Sequence, residues 1–229
     1  MSLPTIRLGF TPEISCSYLP EQKEQLGVVV DHRWLTASGY GALLGCGYRR
    51  SGQAIYKPMC DQCHACTPLR VDCTNFTPSK SQKRQLKQLN GFRAEFKSQL
   101  DDGWFPLYEQ YIRERHAHGA MYPASRKQFF EFCQANWVET RFLHLYQDEQ
   151  LLAVAVTDFF DQALSAVYTF FEPNYPLSLG TLCVLTQIQY CRDTGRRWLY
   201  PGYQIDDCPA MNYKTRFKPY QQLIQGKWQ

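Results

Sequence analysis

The chain has 229 residues, 44% of them hydrophobic and 20% charged, the make-up of a globular protein and not of a disordered, collagen-like or coiled-coil chain. No stretch approaches the roughly 18 uninterrupted apolar residues of a membrane span, and the N-terminus lacks a basic start with an apolar core, so a cytoplasmic protein with no membrane partner is expected. Lys and Arg number 25 against 21 Asp and Glu, a formal charge of +4, so the placement of the cations must decide whether a polyanion binds.

The first hundred residues carry Cys16, Cys46, Cys60, Cys63, Cys66 and Cys73, several Gly and Pro, and no long amphipathic pattern. They read as a small, loop-rich, cysteine-rich region, residues 1–98, set before a second unit at 99–229. Inside the first, residues 31–44 predict a short helix ended by Gly45 and Gly47, with Tyr48-Arg49-Arg50-Ser51-Gly52 following as an exposed basic turn. From Ser79 the pattern becomes helical and Gly91 closes it, with Lys80, Lys83, Arg84 and Lys87 clustered around one side.

Beyond residue 100 the elements lengthen. Helices are expected over 105–116 and from an N-cap at Ser125 to about Trp137; strands are expected over 141–146, 151–160 and 163–171, joined by polar turns into a meander. Ser178 caps a long helix that Gly195 ends, and residues 196–200 form another strand. Meander, helix and strand together predict an α+β domain on a mixed sheet.

Three segments carry chemistry. Cys60-Asp61-Gln62-Cys63-His64-Ala65-Cys66 holds two overlapping C-x-x-C units, whose thiolates suit one soft cation, Zn2+ or an iron–sulfur cluster; free thiols on a turn are the alternative. Lys80, Lys83, Arg84, Lys87, Arg93 and Lys97 face a single acid, Glu95, across residues 80–97, which suits a phosphate backbone or an ordinary solvated face. Residues 206–219 pack carboxylates, a thiol, a phenol and three cations just after a strand, where sites are commonly assembled.

Seven stretches, read in order, resemble the arginyl-tRNA–protein transferase family, and particularly its bacterial branch that attaches leucine to N-terminal Asp or Glu. They are Cys16-Ser17-Tyr18-Leu19-Pro20, Gly47-Tyr48-Arg49-Arg50-Ser51-Gly52, Tyr56-Lys57-Pro58-Met59-Cys60, Cys63-His64-Ala65-Cys66-Thr67-Pro68-Leu69-Arg70-Val71, Phe76-Thr77-Pro78-Ser79-Lys80-Ser81-Gln82, Ser178-Leu179-Gly180, and Tyr203-Gln204-Ile205 through Cys208-Pro209-Ala210-Met211-Asn212-Tyr213-Lys214. The resemblance implies an N-acetyltransferase-like mixed sheet with flanking helices after the cysteine-rich region. It also implies Cys16 as the fourth ligand beside Cys60, Cys63 and Cys66, although the eukaryotic members carry a second thiol where this chain has Ser17-Tyr18.

The implied reaction joins the α-amine of a protein's first residue to the carbonyl of leucyl-tRNA, marking the protein for degradation. Such an aminolysis of an activated ester requires no cofactor. By chemical type and location, Asp206 and Asp207 are the candidates for holding the amine or taking its proton, and Tyr213 or Lys214 for the oxyanion and the leaving group. Arg49, Arg50 and Arg70 are the candidates for reading the acceptor carboxylate. Tyr168, Phe171, Ser178 and Gly180 are placed at the leucyl pocket, while Lys80, Lys83, Arg84 and Lys87 bind tRNA. Asp158 and Glu172 leave arginine open as the transferred residue, and a non-catalytic zinc-containing RNA-binding protein is the reading from another class.

Overall fold

The computed structural model describes residues 5–229. The chain begins with the short strands β1 (Leu8–Phe10), β2 (Ile14–Ser15), β3 (Lys23–Glu24) and β4 (Leu26–Val29), then helix α1 (Ala37–Gly45) and the hairpin of β5 (Arg49–Ser51) and β6 (Ala54–Pro58). A four-stranded antiparallel sheet is ordered β1-β4-β6-β5, and β2 pairs with β3 separately. There follow β7 (Thr67–Asp72), α2 (Lys80–Gln88), β8 (Arg93–Lys97), α3 (Trp104–Arg115) and α4 (Arg126–Cys133). The meander β9 (Glu139–Gln147), β10 (Gln150–Phe159) and β11 (Ala163–Phe171) leads through α5 (Leu179–Asp193) to β12 (Trp198–Gln204), β13 (Tyr220–Ile224) and β14 (Lys227–Trp228).

The last eight strands make one sheet, ordered β14-β13-β7-β12-β11-β10-β9-β8. Every neighbouring pair is antiparallel except β11 and β12, which the α5 crossover makes parallel. The fold is α+β on a mixed sheet, and the first 98 residues contribute β7 and β8 to it. Helices cover both faces. Val154 and Val156 of β10 pack with Tyr108 of α3 and Phe129 of α4, whereas Ala153 and Ala155 pack with Leu179 and Leu182 of α5. A central strand buried on both faces needs apolar residues at every position, which is why Leu151-Leu152-Ala153-Val154-Ala155-Val156 does not alternate.

Local rules explain the helix starts. Ser79 Oγ accepts from the Gln82 N–H at 3.2 Å while the Ser79 N–H donates to Gln82 Oε1 at 2.9 Å, a reciprocal capping box. Ser125 caps α4 through its hydroxyl, at 3.4 Å from the Gln128 N–H. Gly52 adopts φ +54° in the β5–β6 turn, donates to the Phe132 carbonyl at 2.7 Å, and sits so close to the Glu131 carbonyl that a Cβ would overlap it. Only glycine docks this turn against the end of α4.

Several sequence expectations are corrected. The helix over 31–44 is a 3-10 turn at His32–Trp34 followed by α1, because Thr36 caps a fresh helix through Gly39 N–H at 3.0 Å. The expected helix to Trp137 stops at Cys133. Ser178 makes no side-chain cap; its hydroxyl pairs with Thr181 Oγ1 at 2.8 Å. The expected strand over 196–200 runs instead from Trp198 to Gln204. The largest change concerns residues 48–52. They form strand β5, and Arg49 and Arg50 are buried rather than displayed on a turn.

Candidate functional site

Strands β11 and β12 pair in parallel only over Ala163–Ser165 and Trp198–Tyr200. Beyond that, β12 bulges between Leu199 and Gly202, where φ reaches +105°, and follows β7, so the two strands part into a fork. Arg49 sits at its root. One guanidinium nitrogen donates to the Tyr200 carbonyl of β12 at 3.2 Å and another to the Ala166 carbonyl of β11. The carbonyls that the divergence would leave unpaired are thereby satisfied by a cation. Among the described residues no carboxylate lies within ion-pair distance of Arg49.

Arg50, the next residue, points the other way, as alternation along a strand requires. Its guanidinium grips Asp158 in a two-pronged pair at 2.7 and 2.5 Å, with neither side chain exposed, and donates further to the Cys133 carbonyl at 2.8 Å and Thr140 Oγ1 at 3.1 Å. Burial pulls the Arg50 pKa down, but the Asp158 contacts outweigh it and leave the group more firmly protonated. Arg70 lies against the rings of Trp198 and Trp228, 3.7 and 4.4 Å from their centroids, and donates to Gln221 Oε1 at 2.9 and 2.7 Å. Of the three arginines, Arg49 alone is buried beside the fork with no acid.

Lys214 lies on the 3-10 turn Asn212–Arg216 and is 3% exposed. Its Nζ donates to the Met211 carbonyl at 3.2 Å and lies 4.9 Å from the Tyr213 ring centroid, and a Cβ on Gly202 would stand 3.7 Å from its Cε. Burial, and after it the Arg49 charge, bring the Lys214 pKa down to about 8, against the weaker pull of the Cys208 and Cys66 thiols. Two buried cations within each other's field and without an acid make a site that favours an anion.

Tyr213 is half-buried, with its phenol pushed up by burial and by Tyr111 and Cys183. Tyr168 is also pushed up by burial, then by Tyr111 and Tyr108, and its hydroxyl is buried without a partner. Phe171 lies 4.9 Å from the Tyr111 ring and against Gly180, where a Cβ would come within 3.2 Å. Tyr111 of α3 thus connects Tyr168, Phe171 and Tyr213 into one aromatic neighbourhood at the start of α5. Asp158 is committed to Arg50, and Glu172 accepts from Gln110 Nε2 at 3.0 Å and the Asn174 N–H at 3.2 Å. Asp206 and Asp207 are exposed beyond β12; the Asp206 carboxylate accepts from Gln204 Nε2 at 3.0 Å.

A cavity of about 890 Å³ lies alongside, and its lining includes Cys16, Cys60, Cys63 and Cys66 together with Tyr56 and Tyr203. The Cys66 thiol is pushed up to about 12 by burial and by the thiols of Cys16, Cys60 and Cys63. The Tyr18 N–H approaches Cys16 Sγ at 3.4 Å and the Gln25 N–H approaches Cys60 Sγ at 3.5 Å. All four cysteines are free thiols. This donor set suits a soft cation chemically, yet among the described residues no three His, Cys, Asp or Glu side chains are arranged to hold an ion together. No step of the proposed reaction runs through a metal.

Lys80, Lys83, Arg84 and Lys87 are exposed on α2, outside this cavity. The buried side of α2 ties it to the Lys214 turn, since Gln82 Nε2 donates to the Arg216 carbonyl at 3.1 Å. Sequence reasoning missed Gly202, and it assigned no role to Tyr56 and Tyr203 within their motifs. No helix among the described residues is long and apolar enough to cross a membrane.

Comparison with known proteins identifies the class as an aminoacyltransferase. The N-terminal model of the arginine-tRNA-protein transferase family matches residues 14–84 and its C-terminal model residues 103–224. An aspartate/glutamate leucyltransferase of Vibrio parahaemolyticus is 52% identical over 228 residues, covering 99% of this chain and 98% of that protein. Its namesake from Aeromonas hydrophila is 47% identical over 226 residues, covering 97% and 94%. The chain belongs to the arginine-tRNA-protein transferase family and is an enzyme. Among solved structures, the C-terminal domain of a putative lysylphosphatidylglycerol synthetase from Agrobacterium fabrum aligns with a TM-score of 0.48 at 13% identity, over 62% of this chain and 47% of that one.

Proposed function

We propose that this enzyme transfers leucine from leucyl-tRNA to proteins that begin with Asp or Glu, marking them for degradation, on an N-acetyltransferase-like sheet. The observation that carries the acceptor half is the pair of buried, acid-free cations, Arg49 and Lys214, beside the open fork. Arg49 keeps guanidinium N–H groups beyond its two carbonyl bonds and reads the acceptor's side-chain carboxylate. Support for leucine as donor comes from the aromatic neighbourhood of Tyr168, Phe171 and Tyr213, near which Asp158 and Glu172 are already engaged. A guanidinium from an arginyl donor finds no free buried acid among them.

In the reaction, the neutral α-amine attacks the ester carbonyl. The C–N bond forms, the C–O bond to the ribose breaks, and the proton that the amine nitrogen loses is balanced by the one that the ribose oxygen takes. Lys214 stabilises the oxyanion and protonates the ribose oxygen, its pKa of about 8 being matched to that work near neutral pH. The exposed cations of α2 hold the tRNA backbone, and the Gln82 bond sets that contact beside the Lys214 turn. Ser178 and Gly180 bring the start of α5 to the leucyl pocket, Gly180 leaving room for Phe171. Asp206 and Asp207 remain in water at the end of β12 and are assigned no proton here.

The test is a matrix of leucyl-, arginyl- and phenylalanyl-tRNA against peptides starting with Asp, Glu, Asn, Lys and Arg. Leucine on Asp and Glu alone is expected. Preference for Lys or Arg acceptors overturns the assignment of Arg49.

A further inference from the structure

Beyond its bulge, β12 pairs with β7 in unbroken register over Gly202, Tyr203 and Gln204. Alternation therefore sends Tyr203 to one face, where its hydroxyl donates to the Gly47 carbonyl at 2.9 Å, and Gly202 and Gln204 to the other. That second face carries Lys214, whose Cε would stand 3.7 Å from a Cβ on Gly202. Gln204 thus lies one strand repeat, about 7 Å, from the point where the Lys214 side chain crosses β12.

Gln204 is 2% exposed, and its Oε1 is buried with no hydrogen-bond donor among the described residues. The sense of the amide is fixed: Nε2 donates to the Asp206 carboxylate at 3.0 Å, and an amide turned round would set oxygen against oxygen. Asp206 is in turn tied to the Lys214 turn, because Asn212 Nδ2 donates to its backbone carbonyl at 3.1 Å. Lys214 does not satisfy Oε1, since its Nζ turns to the carbonyl and the sulfur of Met211, each at 3.2 Å. An amide oxygen can only accept. Left unpaired in the interior it costs the folded protein, and a donor brought by a ligand removes that cost.

In the proposed reaction Lys214 holds the oxygen of the ester carbonyl. The α-amino group of the leucyl residue sits on the carbon next to that carbonyl, and it offers N–H donors whether neutral or charged. The acceptor's amine is the poorer match, because it must give up a proton that an amide oxygen does not take. We propose that Gln204 Oε1 accepts a hydrogen bond from the α-amino group of the leucyl donor, with Asp206 holding the amide in that sense. The site then takes donors with a free amine and refuses N-acylated ones such as peptidyl-tRNA, whose acyl chain would have to enter beside a fully buried side chain. This deepens the reading above and rests on it for placing the ester at Lys214.

The measurement is kcat/KM for transfer to an Asp peptide from leucyl-tRNA and from tRNA carrying isocaproate, the leucyl group without its amine, for the parent, Gln204→Met and Asp206→Ala. The two esters differ in intrinsic reactivity, but that difference is common to all three proteins and cancels when their preferences are compared. The preference for leucyl-tRNA is expected to fall about tenfold in Gln204→Met, the effect of one lost hydrogen bond to the ligand's amine. It should fall by a smaller factor in Asp206→Ala, where the amide is free to turn. Asp206 is exposed, so the second variant keeps the fold even if the first does not. A preference unchanged in folded Gln204→Met, or in Asp206→Ala where the first variant does not fold, overturns the proposal, as does a parent that transfers N-acetyl-leucine as readily as leucine. If arginyl-tRNA proves the better donor, leucine fails as the transferred residue, while the same comparison with arginyl-tRNA and its des-amino analogue still reads Gln204.

Discussion

Replacing Lys214 by Met should make the protein more stable while disabling it. The side chain is 3% exposed and burial brings its pKa from 10.5 down to about 8. At about 1.4 kcal/mol per unit, keeping the ammonium charged at pH 7 costs the folded state about 3 kcal/mol. Methionine has similar bulk and no charge, but it forgoes the bond to the Met211 carbonyl, which offsets about 1 kcal/mol. The net gain is about 2 kcal/mol, or roughly 4 to 8 °C in melting temperature for a chain of this size.

The pH dependence follows from the sign of the shift. Because the folded pKa lies below the unfolded one, the unfolded parent binds more protons between about pH 8 and 10.5, and parental stability rises through that window. The advantage of Lys214→Met should therefore be largest at and below pH 7 and smaller by about 1 kcal/mol at pH 9. Single-turnover leucyl transfer should fall by about 10²-fold in the same variant. Denaturant titrations of both proteins at pH 7 and pH 9 provide the check. A variant no more stable than the parent at pH 7, or a difference that ignores pH, would refute the claim that Lys214 is held charged against its surroundings.

Asp158→Asn should destabilise by about 3 to 5 kcal/mol, because it strands the fully buried Arg50 guanidinium; urea unfolding measures it, and a loss under 1 kcal/mol would show that the pair is dispensable. Changing Lys83, Arg84 and Lys87 together to Ala should raise the KM for leucyl-tRNA and flatten its salt dependence by about three charges' worth of slope, with the saturated single-turnover rate intact. An unchanged slope would move the tRNA off α2. For the four cavity cysteines we propose a soft-metal site that closes only when loaded: anaerobic purification should yield bound zinc or iron with sulfide, and chelation should lower the melting temperature without altering the saturated transfer rate. Metal-free protein that is equally stable would leave them as thiols.

Local chemistry was legible in the sequence wherever neighbours in the chain decide the outcome. The Ser79 to Gln82 capping box, the Ser125 cap and the meander of β9, β10 and β11 all follow from side chains within a few residues of each other. The family could be read as well, because its motifs are sequence strings. What contacts distant in the chain decide could not be read. Arg49 and Arg50 are adjacent and chemically alike, but strand alternation sends one to carbonyls 117 and 151 residues away and the other to Asp158, 108 residues away. The same holds for the short strands of the first 98 residues, whose pairing depends on partners elsewhere in the chain, as with β7 between β12 and β13. Glu24 shows it most plainly. In sequence it is one acid in a mixed-charge run, and only the folding of β3, β6 and the cysteine loop around a common cavity makes it the sole carboxylate lining a cavity shared with Tyr56. Which side chains share a cavity depends on strands brought together from distant parts of the chain, and only the tertiary structure confers that.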